Sequence, residues 1–118
     1  MAAPVRVSAP PSKILFVDDD PAQRQLTALV LTLAGYQVSA AENGLEALRL
    51  IKHSVPDLII SDLRMPKMSG FEFLSIVRRR FPNLPLIAIS GEFTSSTDPI
   101  LGIADAFFYP AQVAIIPR

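Results

Sequence analysis

The stretch Pro56-Asp57-Leu58-Ile59-Ile60-Ser61-Asp62-Leu63-Arg64-Met65-Pro66 narrows the choice of fold more than any other part of the chain. Leu58 to Ser61 is a short apolar run, the pattern of a strand covered on both faces in a parallel sheet. An acid follows at once, and Met65-Pro66-Lys67-Met68-Ser69-Gly70 then turns the chain. Asp62 is therefore expected at the carboxyl end of a central strand, where open α/β sheets hold their ligands. A lone acid at a strand end is more often a cap or turn residue. What distinguishes Asp62 is a second acidic cluster, Asp18-Asp19-Asp20, which closes another apolar run.

The remaining chain alternates strand and helix signals. Lys13 to Val17, Tyr36 to Ala40, Leu86 to Ser90 and Ala106 to Tyr109 read as further strands. Asp20 is placed to cap a helix that starts at Pro21, with Leu26, Leu29, Val30 and Leu33 as its expected inner stripe and Gly35 as its stop. Asn43 is a cap for a second helix carrying Leu45, Leu48 and Ile51, and Gly70 opens a third with Phe71, Leu74 and Val77 (or Ile76) facing inward. Between Gly91 and Pro99 the pattern fails. Ser, Thr and Asp compete there for backbone hydrogen bonds, so a short helix at Ile100 to Ile103 is the most that is expected. Ala111 to Arg118 has room for two helical turns at most.

Strands alternating with helices imply βαβ units with right-handed crossovers. The expected fold is α/β, a doubly wound five-stranded parallel sheet of order 2-1-3-4-5, with reduced fourth and fifth helices. Residues 1–12, with Pro4, Pro10 and Pro11, read as a flexible lead-in, and residues 13–118 as one domain. That strand order sets strands 1 and 3 side by side, so Asp18, Asp19 and Asp62 meet at one sheet edge.

Composition excludes several function classes. Eleven basic residues are balanced by eleven acidic ones, so no polyanion-binding face is expected and nucleic acid is not a predicted partner. Without cysteine there are no disulfides, thiol nucleophiles or Cys-based zinc sites, which suits a reducing, cytoplasmic setting. No apolar run approaches the ~20 residues of a membrane helix.

Three carboxylates do not gather without a reason. Two of them ~5 Å apart repel by roughly 3 kcal/mol at an effective dielectric near 20. Raised pKa values or a bound cation must offset this. Oxygen ligands with no His or Cys nearby favour a hard ion, Mg²⁺ above all. An ion held there leaves positions for phosphoryl oxygens and lets a carboxylate act as a nucleophile. Asp62 is the better nucleophile, since the paired acids of strand 1 form the metal's anionic wall. Ser90, at the end of strand 4, flanks the site.

Ile14-Leu15-Phe16-Val17-Asp18-Asp19-Asp20-Pro21 and the stretch from Pro56 to Gly70 together resemble the receiver domain of two-component response regulators, over about Lys13 to Pro110. The resemblance implies that Asp62 accepts a phosphoryl group from the phosphohistidine of a histidine kinase or histidine phosphotransfer protein. It implies that Asp19, Asp62 and the backbone carbonyl of Arg64 bind Mg²⁺, with Asp18 acting through water. Ser90 falls at the family's switch Ser or Thr, and Phe107 near its switch aromatic. It implies a signalling domain, not an enzyme, beyond its own phosphorylation and dephosphorylation.

The departures are equally specific. The family has a Lys before the proline that ends strand 5; here the segment is Ala106-Phe107-Phe108-Tyr109-Pro110, and no Lys follows. Either Tyr109 replaces the Lys or one residue has been lost. A phenol donates one hydrogen bond and carries no charge at neutral pH. A missing covering helix leaves apolar sheet surface that includes Phe93, Phe107, Phe108 and Tyr109, so self-association or exchange of a C-terminal segment is expected. Arg78-Arg79-Arg80, Lys67 and His53 are read as solvated.

The leading function is phosphoacceptor signalling. The alternative is a degenerate receiver that works as a phosphorylation-independent protein-interaction module; the absent Lys favours it and the intact acidic triad opposes it. An Asp-nucleophile phosphatase fits less well, because Asp62 is followed by Leu63-Arg64 and not by an Asp-x-Asp pair. A flavin binder fits least, since the acidic first loop repels a cofactor phosphate. No output domain is encoded in these residues, so output passes through an unidentified downstream protein or a region beyond them.

Overall fold

Apolar runs of four or five residues that alternate with amphipathic segments build a twisted sheet with helices on both faces. The computed structural model describes residues 12–90, 99–109 and 112–115. The lead-in up to residue 11, the polar segment 91–98 with Phe93, and Pro110 lie outside the described residues. In chain order the elements are β1 (Lys13–Val17), α1 (Pro21–Leu33), β2 (Gln37–Ala41), α2 (Gly44–His53), β3 (Leu58–Asp62), α3 (Gly70–Arg80), β4 (Leu86–Ile89), a single 3₁₀ turn (Pro99–Gly102), β5 (Ala106–Tyr109) and β6 (Gln112–Ile115). Strands 1 to 5 are parallel and run in the order 2-1-3-4-5, as the alternation predicted.

Beyond β5 the structure differs from expectation. Gln112–Ile115 is not helical; it pairs antiparallel with β5 and becomes a sixth, edge strand. Val113 and Ile115 are β-branched, and such residues fit a pleated edge better than a short unsupported helix. Where a short helix was expected at Ile100 to Ile103, the described residues form a 3₁₀ turn that seats Ile100 in the core.

In-register neighbours share a face of the sheet. Leu15 and Val17, Ile59 and Ser61, Leu86 and Ala88, and Phe107 line one face, where they pack with Ala47 and Ile51 of α2 and Phe73, Leu74 and Val77 of α3. Right-handed crossovers put α1 on the opposite face, over the buried Ile14 and Phe16 of β1. The inner stripe of α3 thus runs through Phe73, Leu74 and Val77, while Phe71 is exposed. In α2, Ala47 and Ile51 are buried and Leu45 is exposed.

The largest correction concerns α1. Its existence and limits are as predicted, but Leu26, Leu29, Val30 and Leu33 do not face the sheet: none of its residues is buried. The half-buried side runs through Arg24, Thr27, Ala28 and Leu31 instead. With Arg24, Thr27 and Ala28 beside Leu31 on the inward side, the stripe of Leu26, Leu29, Val30 and Leu33 is left in water.

Candidate functional site

The register of β1 and β3 builds the site. Val17 pairs with Ser61, so one step further along each strand Asp18 and Asp62 come side by side at the carboxyl edge. Asp18, Asp19 and Asp62 each offer a carboxylate oxygen, and these oxygens lie within 4.8 Å of one another. Asp18 is buried, Asp62 half-buried and Asp19 exposed. This is an open edge; two concavities lie elsewhere, a groove of about 590 Å³ between α2 and α3 and another beside β1 and β2.

Local hydrogen bonds hold the acids in place. Asp18 Oδ1 accepts from the Asp20 N–H at 2.9 Å, and Arg24 Nη1 donates to the Asp18 carbonyl at 2.8 Å. Asp20 does not join the cluster; its Oδ1 accepts from the N–H groups of Ala22 and Gln23, capping α1 ahead of Pro21. Asp62 Oδ1 accepts from the Arg64 N–H at 3.0 Å. The loop after Asp62 returns at Gly70, whose N–H donates to the Leu63 carbonyl at 3.1 Å. Ser69 Oγ then accepts from the Glu72 N–H at 3.2 Å and caps α3.

The electrostatics are those of crowded acids. Burial raises the pKa of Asp18 above the ordinary 3.8, the N–H of Asp20 opposes this, and the charges of Asp62, Asp19 and Asp20 raise it further. Burial likewise raises Asp62, and the Asp19 charge adds to it, while the N–H groups of Arg64 and Leu63 and the Arg64 charge act the other way. Repulsion at 4.8 Å separation is worth roughly 3 kcal/mol per charged pair at an effective dielectric near 20. A hard divalent cation removes that penalty, and an all-oxygen donor set suits one. The residues present therefore fit such an ion.

The other predicted positions divide. Ser90 directly follows β4 at the same carboxyl edge; it is buried, and its N–H donates to the Phe108 carbonyl at 3.0 Å. Arg64 follows in the loop and is exposed. Phe107 is buried in the core, whereas Phe108 points to the other face and is exposed. The side chain of Tyr109 lies outside the described residues. Lys67 and His53 are exposed, Lys67 with a left-handed φ of 69°.

Two residues near the site escaped sequence reasoning. Gly70 was assigned only a helix start, yet a Cβ there would overlap the Asp62 carbonyl oxygen and come within 2.6 Å of Leu63 Cα. The signal available was the capping box Ser69-Gly70-Phe71-Glu72, which fixes the chain's direction into α3. Arg24 has no comparable signal, because its partner is a backbone carbonyl six residues earlier.

Comparison with known proteins agrees with this geometry. Residues 14–103 match the response regulator receiver domain family. The transcriptional regulatory protein GlrR of Escherichia coli is 40% identical over 84 residues, covering 71% of this chain and 19% of GlrR. The sensor histidine kinase CheAY of Helicobacter pylori is 39% identical over 94 residues, 76% of this chain and 12% of CheAY. The chain thus spans less than one-fifth of the length of either relative. Among solved structures, TrrA of Thermotoga maritima in complex with Mg²⁺-BeF superposes with a TM-score of 0.78 at 33% identity, covering 83% of this chain and 85% of that one. The chemotaxis protein CheY4 of Vibrio cholerae gives 0.79 at 33% identity, with 85% and 87% covered. With its acids at the strand 1 and strand 3 termini and its sheet in the order 2-1-3-4-5, this chain belongs to the response regulator receiver domain family of two-component systems.

Proposed function

We propose that the chain is a phosphoacceptor receiver, in which Asp62 takes a phosphoryl group from the phosphohistidine of a histidine kinase or histidine phosphotransfer protein. The observation that carries this reading is the convergence of Asp18, Asp19 and Asp62 at one sheet edge. Asp62 is the acid at the end of β3, and its Oδ1 is already oriented by the Arg64 N–H. Its other oxygen attacks phosphorus, the P–N bond breaks with its electron pair staying on nitrogen, and the ring, already protonated on its other nitrogen, leaves as neutral imidazole.

Mg²⁺ would be held by the carboxylates of Asp19 and Asp62 and the carbonyl of Arg64, with Asp18 acting through water. When bound, it supplies positive charge that lets an anionic nucleophile meet an anionic donor. Ser90, at the same edge, donates its hydroxyl to a phosphoryl oxygen, and Phe107 responds from the core side of β5. The added charge of roughly −1.5 to −2 is the signal. The structure of TrrA with Mg²⁺-BeF supports an ion of this kind in a protein of the same fold. The setting is cytoplasmic, and the chain's only chemistry is its own phosphorylation and dephosphorylation. No described helix is long and apolar enough to cross a membrane.

A second reading is favoured by one observation: Tyr109 stands before Pro110 and no lysine occurs from Ala106 onward. Without that ammonium the chain acts as a binding module that does not depend on phosphorylation. The two are separated by incubating the protein with Mg²⁺ and a small phosphodonor and weighing it intact, beside Asp62→Asn. Phosphoacceptor function predicts an added phosphoryl mass of wild type alone. An unmodified wild type that demonstrably binds Mg²⁺ selects the binding module.

A further inference from the structure

Helix α1 is the one element whose chemistry the phosphoacceptor reading leaves unexplained. It runs thirteen residues, begins with a well-formed Asp20 cap, and buries nothing fully. Leu26, Leu29, Val30 and Leu33 stand 59%, 55%, 55% and 77% exposed. Their spacing, i, i+3, i+4 and i+7, puts all four on one stripe about 100° wide. A surface helix is expected to carry charge on that side. Here the chain from Gln25 to Ala41 contains no Asp, Glu, Lys, Arg or His at all.

We infer that this stripe is a self-docking surface, and that its occupant is α1 of a second copy of the chain in an antiparallel, two-fold contact. The sequence of the stripe is self-complementary. A two-fold axis between Leu29 and Val30 sets Leu26 against Leu33 of the partner subunit, and Leu29 against Val30 of the partner subunit. Large side chains four apart thus form ridges that seat in one another's grooves, and each contact occurs twice, as an isologous interface requires. The absence of charge matters as much. No like charges meet across the axis, no ion is desolvated, and a partner chosen by charge has nothing to read. An anionic membrane surface is disfavoured for the same reason, because interfacial helices carry Lys and Arg beside the apolar face.

The area is adequate. The four side chains expose roughly 400 Å² per copy, within the range of about 300–600 Å² for the largest patch on a monomer, which is often functional. Buried from both copies, with a rim of the exposed, uncharged Ala22, Gln25 and Thr32, the contact reaches on the order of 1,000 Å², the lower bound of a specific interface. The other described helices do not compete for this space. α2 and α3 pack together on the opposite face of the sheet, and Thr32 Oγ1 is already satisfied by the Ala28 carbonyl at 2.7 Å.

Sedimentation equilibrium tests this on the 118-residue chain from low to hundreds of micromolar. The expected result is a reversible dimer with a dissociation constant on the order of tens of micromolar. Leu26→Glu/Leu33→Glu and Leu26→Lys/Leu33→Lys each weaken it at least about tenfold, since both Leu26–Leu33 contacts place like charges together. Because the stripe is exposed, both variants keep the wild-type circular dichroism. Mixing the two restores a heterodimer at low salt, which a merely structural role for the leucines would not produce. A strictly monomeric wild type overturns the proposal, as does a dimer that survives either charged pair or a mixture that stays monomeric. None of these outcomes bears on whether Asp62 accepts a phosphoryl group.

Discussion

Gly70 lies directly against the backbone of Asp62, so close that a single added carbon would overlap the Asp62 carbonyl oxygen. The loop that leaves the acidic edge therefore closes on itself before α3 begins, fastened by the Gly70 N–H to the Leu63 carbonyl at 3.1 Å. The same closure keeps the Arg64 N–H on Asp62 Oδ1.

Gly70→Ala consequently acts on the site and not only on the helix. The methyl group meets backbone, which cannot rotate away, so the loop must shift. The expected cost is about 2–3 kcal/mol of stability, together with weaker Mg²⁺ binding because Asp62 loses its orientation. Urea denaturation measures the first and a Mg²⁺ titration of the folded protein the second. A variant with lowered stability and unchanged metal affinity would separate the loop from the site.

The acids set a pH dependence of definite sign. Asp18 and Asp62 have pKa values raised above 3.8, chiefly by burial. The folded chain thus keeps these protons to higher pH than the unfolded chain does. Their contribution is fully present below the unfolded value and is lost as pH rises through the folded values. In EDTA, wild type should therefore lose melting temperature, relative to Asp62→Asn, as pH rises through the carboxylate range above 3.8. At neutral pH the metal-free variant should be the more stable by about 1 kcal/mol, because Asn keeps an acceptor for the Arg64 N–H while shedding the charge. Mg²⁺ should raise the melting temperature of wild type and leave the variant nearly unmoved. Calorimetry at several pH values, with and without Mg²⁺, gives all three comparisons.

What could be foreseen from the chain depended on which interactions are local. Asp20 before Pro21 and Asn43 before the run of Leu45, Leu48 and Ile51 announced their helix starts, and both caps are present, Asn43 Oδ1 accepting from the Glu46 N–H at 2.9 Å. Runs such as Ile14–Val17 announced strands, and the alternation then forced strand 1 against strand 3 and the three acids together. Facing was less legible. Leu26, Leu29, Val30 and Leu33 form the apolar stripe that normally seeks a core, and nothing within the helix reveals that no described helix flanks it on that face. β6 was missed because Val113 and Ile115 belong to too short a run for periodicity to decide. Partners far apart in sequence were least legible. Arg78 sat in a basic triplet that reads as a solvated helix end, whereas its partners lie on segments up to 27 residues away.

Arg78 therefore supplies the sharpest test of the scaffold. Its Nε and Nη2 both donate to the Ile103 carbonyl, Nη1 to the carbonyls of Pro82 and Leu84, and Nη2 to Asp105 Oδ2 at 2.9 Å. Asp105 Oδ2 accepts in turn from the Leu86 N–H at 2.8 Å. One guanidinium thus joins the end of α3 to the starts of β4 and β5, and the side chains are only 16% and 22% exposed. Arg78→Ala takes from Asp105 its guanidinium, and from three carbonyls the donor they share, an expected loss of about 2–4 kcal/mol. Arg78→Lys should recover little of it, because an ammonium cannot span carbonyls on both sides as the planar fork does. Arg79→Ala, one residue on and exposed, should change stability by less than about 0.5 kcal/mol. Since this clamp lies at the amino ends of β4 and β5, opposite the acids, the folded fraction of Arg78→Ala should still bind Mg²⁺ with wild-type affinity. Chemical denaturation paired with a Mg²⁺ titration reads both quantities. Equal losses from the Arg78 and Arg79 variants would show that the clamp contributes no more than an ordinary surface charge.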